Sequence, residues 1–384
     1  MIINGERALA YITTIDSITE LPGYDRVEYA HVGGWGVIVS KEDNFKEGSS
    51  CLFIETDSKV PEDDERFKFL AKRNYKVKIQ KMCKVYSQGL IMPLDLFPEI
   101  SKYKVGDDVT DILGITYYDA ADNARKEKPT KNSSPSLYNR ISKWKIMKPV
   151  IRHSWSRRLL KKILGEKRER TDKFPVHFQY ITKTDEERIE NIPWVLNLDQ
   201  TFSVTEKLDG TSCTYILERT GRKRFEFYVC SRKVRQADIN QKTFDEGNIY
   251  WEMALKYNIE DYLKQYLVDN PKVSYVCVQG EGVGEGIQSN PLKLDSRDLY
   301  LFNFIDSENG RYSSEFGSAL TEKWGMKWVP IIDTAYHLPD DMESAKSYAD
   351  GMSAINSKVK REGVVLRNTE LSFKNVSRKY LEKH

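Results

Sequence analysis

Residues 201–217 read TFSVTEKLDGTSCTYIL. Two stretches rich in β-branched and aromatic residues flank an Asp209-Gly210 pair, which reads as a strand, a tight turn and a returning strand. Lys207 closes the first strand. An ammonium is costly to bury unless something uses it. With its amine freed, such a lysine is a nucleophile. The plain alternative is a surface hairpin, because K-x-D-G alone is a short string that chance supplies. The surrounding sequence has to decide.

Downstream, SR at 231–232 ends a strand and puts Arg232 where it can donate to a ribose or phosphate. VQGEGVGEG (278–286) carries Glu281 at a strand end, and LYLFNFID (299–306) offers Phe302 and Phe304 on a strand. REGVVLRN (361–368) sets Glu362 before an apolar run, and SFKNVSRKYL (372–381) brings Lys374 and Lys379. Taken singly, each has a structural reading: carboxylates at strand ends are solvated, and strand phenylalanines are core. Strands are expected at 201–207, 211–218, 225–231, 273–279, 299–305 and 363–367. WEMALKYNIEDYLKQYL repeats its apolar residues at a helical period. SSEFGSALTEKW should form a helix ending at Gly325, and Thr184 with Glu187 has the spacing of a capping box that opens another. This makes residues 174–384 an α+β domain of antiparallel sheets with flanking helices.

Upstream, residues 1–115 are a series of short apolar runs (8–15, 27–32, 35–40, 50–56, 75–82, 89–94) broken by Gly, Pro and Asp. That spacing predicts a small β-barrel of the OB type. Between the two lies a segment, 116–173, of different character. Residues 131–170 hold thirteen Lys and Arg against Glu166 and Glu169, a local charge of +11 in a chain whose total is +3. It reads as a basic linker or insertion, either a solvated helix face or a contact for polyanions, with Trp144 and Trp155 along it.

The 384 residues suit two domains, and 40% hydrophobic content excludes wholesale disorder. No run of apolar residues is long enough to span a membrane and the N-terminus lacks a signal pattern. Five widely spaced cysteines without C-x-x-C predict a reduced, cytoplasmic protein with neither disulfides nor a zinc centre. There is no P-loop, GEGVGEG (280–286) does not fit G-x-G-x-x-G, and G-x-S-x-G and HExxH are absent.

As an ordered series, the motifs from Lys207 to Lys379 resemble the covalent nucleotidyltransferase superfamily of ATP-dependent ligases and mRNA capping enzymes. The TS after KLDG and TDEERI (184–189) look more like RNA ligases. The chain stops ten residues after Lys374, leaving no room for a C-terminal OB domain, and its β-rich domain is N-terminal. FIETDSKVPED (53–63) and VYSQGLIMPL (85–94) share that likeness. The arrangement resembles the fifth RNA ligase family, an OB domain followed by a nucleotidyltransferase domain.

The resemblance implies ATP and Mg2+ (or Mn2+) as cofactors, and RNA strands with 3′-hydroxyl and 5′-phosphate ends, in a nicked duplex, as partners. It implies no membrane or protein partner. Lys207 would be the nucleophile, with its pKa brought down from about 10.4. Lys374 would contact the α-phosphate with Lys379 assisting, and Arg232 would hold the ribose. Phe302 would stack on adenine, with Phe304 as the competing assignment, and Glu206 would help read the base. Asp209, Glu281 and Glu362 would hold the waters of a metal ion, and Asp57 a second metal, unless it only stabilises a turn. Two alternatives stay open: a non-catalytic OB-type nucleic-acid-binding protein, and another covalent nucleotidyltransferase, either a DNA ligase or a GTP-dependent capping enzyme.

Overall fold

The computed structural model describes residues 1–3, 6–118, 172–181, 185–232, 234–239 and 247–383. The basic stretch 131–170 lies outside the described residues, as does Thr184.

In the N-terminal region the strands are short and form several small sheets. Ala10–Thr14, Ser50–Ile54 and Leu90–Met92 make one, and the meander Ser17–Glu20, Val27–Val32 and Trp35–Ser40 a second. Thr116–Tyr117, Ser58–Lys59 and Lys76–Val77 make a third. Alternate residues of Ser50–Ile54 feed two separate cores, as the strand period demands. Leu52 and Ile54 join Phe67 and Phe97 on one side, while Cys51 and Phe53 join Trp35 and Tyr11 on the other. Among the described residues the ladders do not close into the expected barrel. Closure needs one continuous, staggered ladder, and here the pairing is split among separate small sheets, with residues 80–82 and 85–87 forming a hairpin of their own across Cys83 and Lys84.

The C-terminal region is α+β, built on two sheets. The larger has eight strands, with Thr211–Gly221, Tyr275–Val283 and Asp298–Asp306 at its centre. Helices Ile249–Lys256 and Ile259–Asp269 cover one face, where Tyr215, Leu217, Met253, Leu263, Val276 and Phe304 are buried together. The single helical period of the sequence is two helices because Asn258 takes a left-handed φ of 47°. The smaller sheet runs Glu187–Arg188, Ser372–Val376, Gly363–Arg367, Thr201–Lys207, Ile331–His337. Among the described residues, no helix is long and apolar enough to cross a membrane.

Two expectations are corrected. The strands on either side of Asp209-Gly210 do not pair with each other: Thr201–Lys207 belongs to the smaller sheet and Thr211–Gly221 to the larger. The turn is a crossing between sheets. A Cβ at Gly210 would lie 2.2 Å from the Gly282 carbonyl oxygen, so only glycine lets the crossing pack this closely. The capping-box helix is also absent from the described residues. Residues 187–188 pair in parallel with 373–374, and one 3-10 turn, Ile189–Asn191, follows. Asp185, Glu186 and Arg188 are committed to ion pairs with distant residues, which holds this stretch extended.

Candidate active site

The crossing places Lys207 at the mouth between the two sheets. Lys207 pairs with Gly363 and Ser212 with Glu281 in their ladders, so Glu362 and Glu281 approach the lysine from different sheets. The Lys207 Nζ donates to Glu362 Oε1 at 2.7 Å. Asp209 Oδ2 accepts from the Tyr380 hydroxyl at 2.7 Å. A cavity of about 600 Å3 opens here, lined among others by Glu206, Lys207, Asp209, Arg232, Glu281, Phe302, Glu362 and Lys374.

Its electrostatics are dominated by burial and by excess carboxylate. Burial pulls the Lys207 ammonium down, but Glu362, Glu281 and Asp209 overrule it and hold the group above the ordinary lysine range. Burial also pushes the Glu281 carboxyl up to about 8, opposed by Lys207 and reinforced by Glu362 and Asp209. Glu362 is raised for the same first reason, and its Oε2 is buried with no hydrogen-bond partner. Thus the lysine does not lose its proton through the protein alone. A cation that neutralised the carboxylates would remove what holds it.

No three acidic, His or Cys side chains among the described residues converge tightly enough to ligate a metal directly. The donor set still fits a hydrated divalent ion. Three carboxylates, two of them raised and one with an orphaned oxygen, can hold a cation through its waters, the habit of hard ions such as Mg2+.

The same cavity also holds a cationic group that feels Lys207. Lys374, on Ser372–Val376, is brought down to about 8 by burial first and then by Arg7, Arg188 and Lys207, against the pull of Asp185. Asp185 bridges Lys374 Nζ at 2.5 Å and Arg232 at 2.8 Å. Burial pushes its carboxyl up, but Lys374, Arg7 and Arg232 hold it far below the usual range. Arg367 donates to Glu186 at 2.9 Å and sits 5.8 Å from the centre of the Phe302 ring.

Other positions divide cleanly. Phe302 lines the cavity, whereas Phe304 is fully buried in the helix-covered core. Glu206 is 2% exposed, lines the cavity, and accepts from the Ala354 N–H at 2.8 Å; its Oε1 is unpartnered. Lys379 is not brought to the cavity. Its side chain is 53% exposed and pairs with Asp350 at 3.0 Å, on a helical turn, Arg378–Leu381, that points it away. Asp57 reaches the cavity from the N-terminal region, at φ 70°, where it pairs with Arg188 at 2.6 Å and lies 4.0 Å from Arg7. It thus sits among guanidinium groups.

Sequence reasoning missed Arg7, Asp185 and Arg188. Two of the three lie in TDEERI, a stretch singled out as family-like but read only for helix capping.

A lysine on a strand end, ringed by carboxylates and faced by a second lysine in a cavity of nucleotide size, is the arrangement of a covalent nucleotidyltransferase. Comparison with known proteins narrows the class. Residues 9–94 match the OB-fold domain family and residues 200–381 the RNA ligase family. No curated protein matches the chain. Among solved structures, the Naegleria gruberi RNA ligase with PPi is 31% identical with a TM-score of 0.74, covering 99% of both chains. Mutant forms of the same enzyme with ATP and Mn (TM-score 0.72) and with AMP and Mn (0.73) are also 31% identical, over 98% of this chain and 99% of theirs. The chain belongs to the RNA ligase family.

Proposed function

We propose that the cavity residues divide between them the work of ATP-dependent RNA ligation, which proceeds through a covalent lysyl-adenylate. The Lys207 amine attacks the α-phosphorus of ATP; the N–P bond forms as the bond to pyrophosphate breaks. AMP passes to the 5′-phosphate of an RNA end, and a 3′-hydroxyl then displaces AMP to close the strand. Each transfer is in-line, so positioning and charge neutralisation carry the catalysis.

The observation that carries this assignment is the position of Lys207, 2.7 Å from Glu362 and within the field of Glu281 and Asp209. The divalent ion, Mg2+ or Mn2+, supplies positive charge that offsets those carboxylates and the phosphates. Asp209, Glu281 and Glu362 would hold it. Lys374 faces the α-phosphate and offsets its growing charge. Arg232 takes the ribose, Phe302 stacks on the adenine, and Glu206, with one free oxygen, reads the base edge.

Residues 1–115 act as an OB-type domain joined through 116–173 to a nucleotidyltransferase domain, 174–384. Through Arg7 and Asp57 the first would orient the leaving pyrophosphate. The substrate is a nick in duplex RNA, in the cytoplasm, as part of RNA repair. Sealing of a matched panel of RNA, DNA and hybrid nicks, with ATP or GTP, tests this. ATP-dependent sealing of the RNA nick should exceed all others. Equal sealing of DNA, or a preference for GTP, would refute it.

A further inference from the structure

A second cavity, of about 170 Å3, adjoins the first. The two share Asp57, Tyr117, Tyr118, Asp209, Glu362 and Leu381, but the smaller one includes none of the residues assigned above to base, ribose or α-phosphate. The wall that it does not share is N-terminal and includes Thr56, Ser58, Lys76 and Lys78. Ser58 pairs with Val77 in a two-strand ladder, which sets Lys76 and Lys78 on either side of a buried residue.

Three features point to a ligand. The hydroxyl oxygens of Thr56 and Ser58 are buried without a hydrogen-bond partner, a costly state that a ligand's polar atoms would relieve. Lys76 Nζ lies 3.6 Å from the centre of the Tyr118 ring, so a cation and a stacking face come as one unit. The volume is below the roughly 300 Å3 at which pockets for whole small molecules begin. It suits one repeating piece of a longer chain.

We propose that this cavity binds the acceptor RNA strand next to its 3′-hydroxyl end. Lys76 and Lys78 take backbone phosphates, and the Thr56 and Ser58 hydroxyls meet ribose oxygens, where RNA offers a 2′-hydroxyl. Grooves for single strands combine cations with aromatic faces in this way. The adenylated 5′ end has to occupy the nucleotide cavity together with its AMP. The strand that attacks it therefore enters from the other side of Asp209 and Glu362. This rests on the RNA-ligase reading of the main cavity.

The test supplies a pre-adenylated RNA strand and an acceptor oligoribonucleotide to the full-length protein, without ATP. In the double variant Lys76→Ala, Lys78→Ala the acceptor KM should rise about tenfold with kcat little changed. Its salt dependence should flatten by roughly 1.4 in log–log slope, about 0.7 for each lost phosphate contact. Lys76→Arg with Lys78→Arg should restore both, which separates charge from folding. An unchanged acceptor KM would overturn the proposal. So would a loss found only in a parallel assay of lysine adenylylation with labelled ATP, which would assign the cavity to pyrophosphate. A wild-type protein that joined no RNA at all would overturn the ligase reading along with it.

Discussion

The C-terminal region carries Lys207, Glu281 and Lys374 on strands of seven, nine and five residues. The N-terminal region reaches the same cavity through Arg7, on a two-residue strand, and Asp57, at a turn. Long ladders fix side chains that must hold a reacting geometry. Short strands and turns suit groups whose task is to supply charge. The border between the regions is correspondingly polar. Glu190 accepts the Gly34 N–H at 2.7 Å, and Lys346 reaches across to the Gly34 carbonyl and Gln88. Gly34 has no room for a side chain, since a Cβ there would lie 2.6 Å from the Glu190 Cα. Asn191 accepts from Trp35 Nε1 at 2.6 Å and donates to Glu55 at 2.8 Å.

If this division of labour holds, the largest effect follows from losing Lys207. Lys207→Ala should abolish the ATP-dependent adduct and all sealing from ATP. Lys207→Arg should fail as well, because guanidinium cannot supply a free amine near neutral pH. Adduct in either variant, seen on a gel with labelled ATP, would end the assignment.

Removing the N-terminal region should have a narrower effect. A fragment beginning near Phe174 should react poorly with ATP, and should join a pre-adenylated strand only with an acceptor KM raised at least as far as in the Lys76, Lys78 double variant. Wild-type adduct formation in that fragment would show that the N-terminal region plays no part in the first transfer.

A smaller effect is expected at Asp185. Asp185→Asn removes the charge-assisted partner of both Lys374 and Arg232, worth about 1.5–3 kcal/mol. Adduct formation should slow roughly ten- to a hundredfold, the same energy as a rate. Single-turnover kinetics would read it, and wild-type rates would mean that Lys374 is positioned by its strand alone.

The smallest effect concerns acid. Burial pushes the Glu55 carboxyl up, but the Met1 amine and Arg7 overrule it and hold it below the usual glutamate value. Its contribution is therefore complete above about pH 4.3 and is lost as pH falls through the lowered value. Trp35 fluorescence should report a loosening of the border at a pH below the ordinary glutamate range, and Glu55→Gln should lack that step.

The same contrast governs what could be read from sequence. The strands at 201–207 and 363–367 were legible to the residue, the first from polar and apolar residues alternating up to its turn, the second from a short continuous apolar run, GVVL, that Arg367 closes. The facing of Phe302 against Phe304 was not: both occupy even positions, and a register shift in the ladder between Gln279 and Gly280 intervenes. Ser372–Val376 was seen only as a carrier of Lys374, since five residues with Lys and Asn do not announce a strand. The hairpin reading failed because a turn sequence specifies a reversal locally and says nothing of which sheet each arm joins. Arg7 and Asp185 were invisible for a related reason. Their significance comes from ion pairs and fields spanning distances in sequence that no local pattern encodes.

Covalent adenylation of Lys207 is the step from which the rest follows. Incubating the full-length protein with ATP and Mg2+, then mapping the modified peptide by mass spectrometry, tests it most directly. A single AMP should be found on the Lys207 side-chain nitrogen, with one pyrophosphate released per adduct. AMP on Lys374 or elsewhere, or hydrolysis of ATP with no adduct, would contradict it.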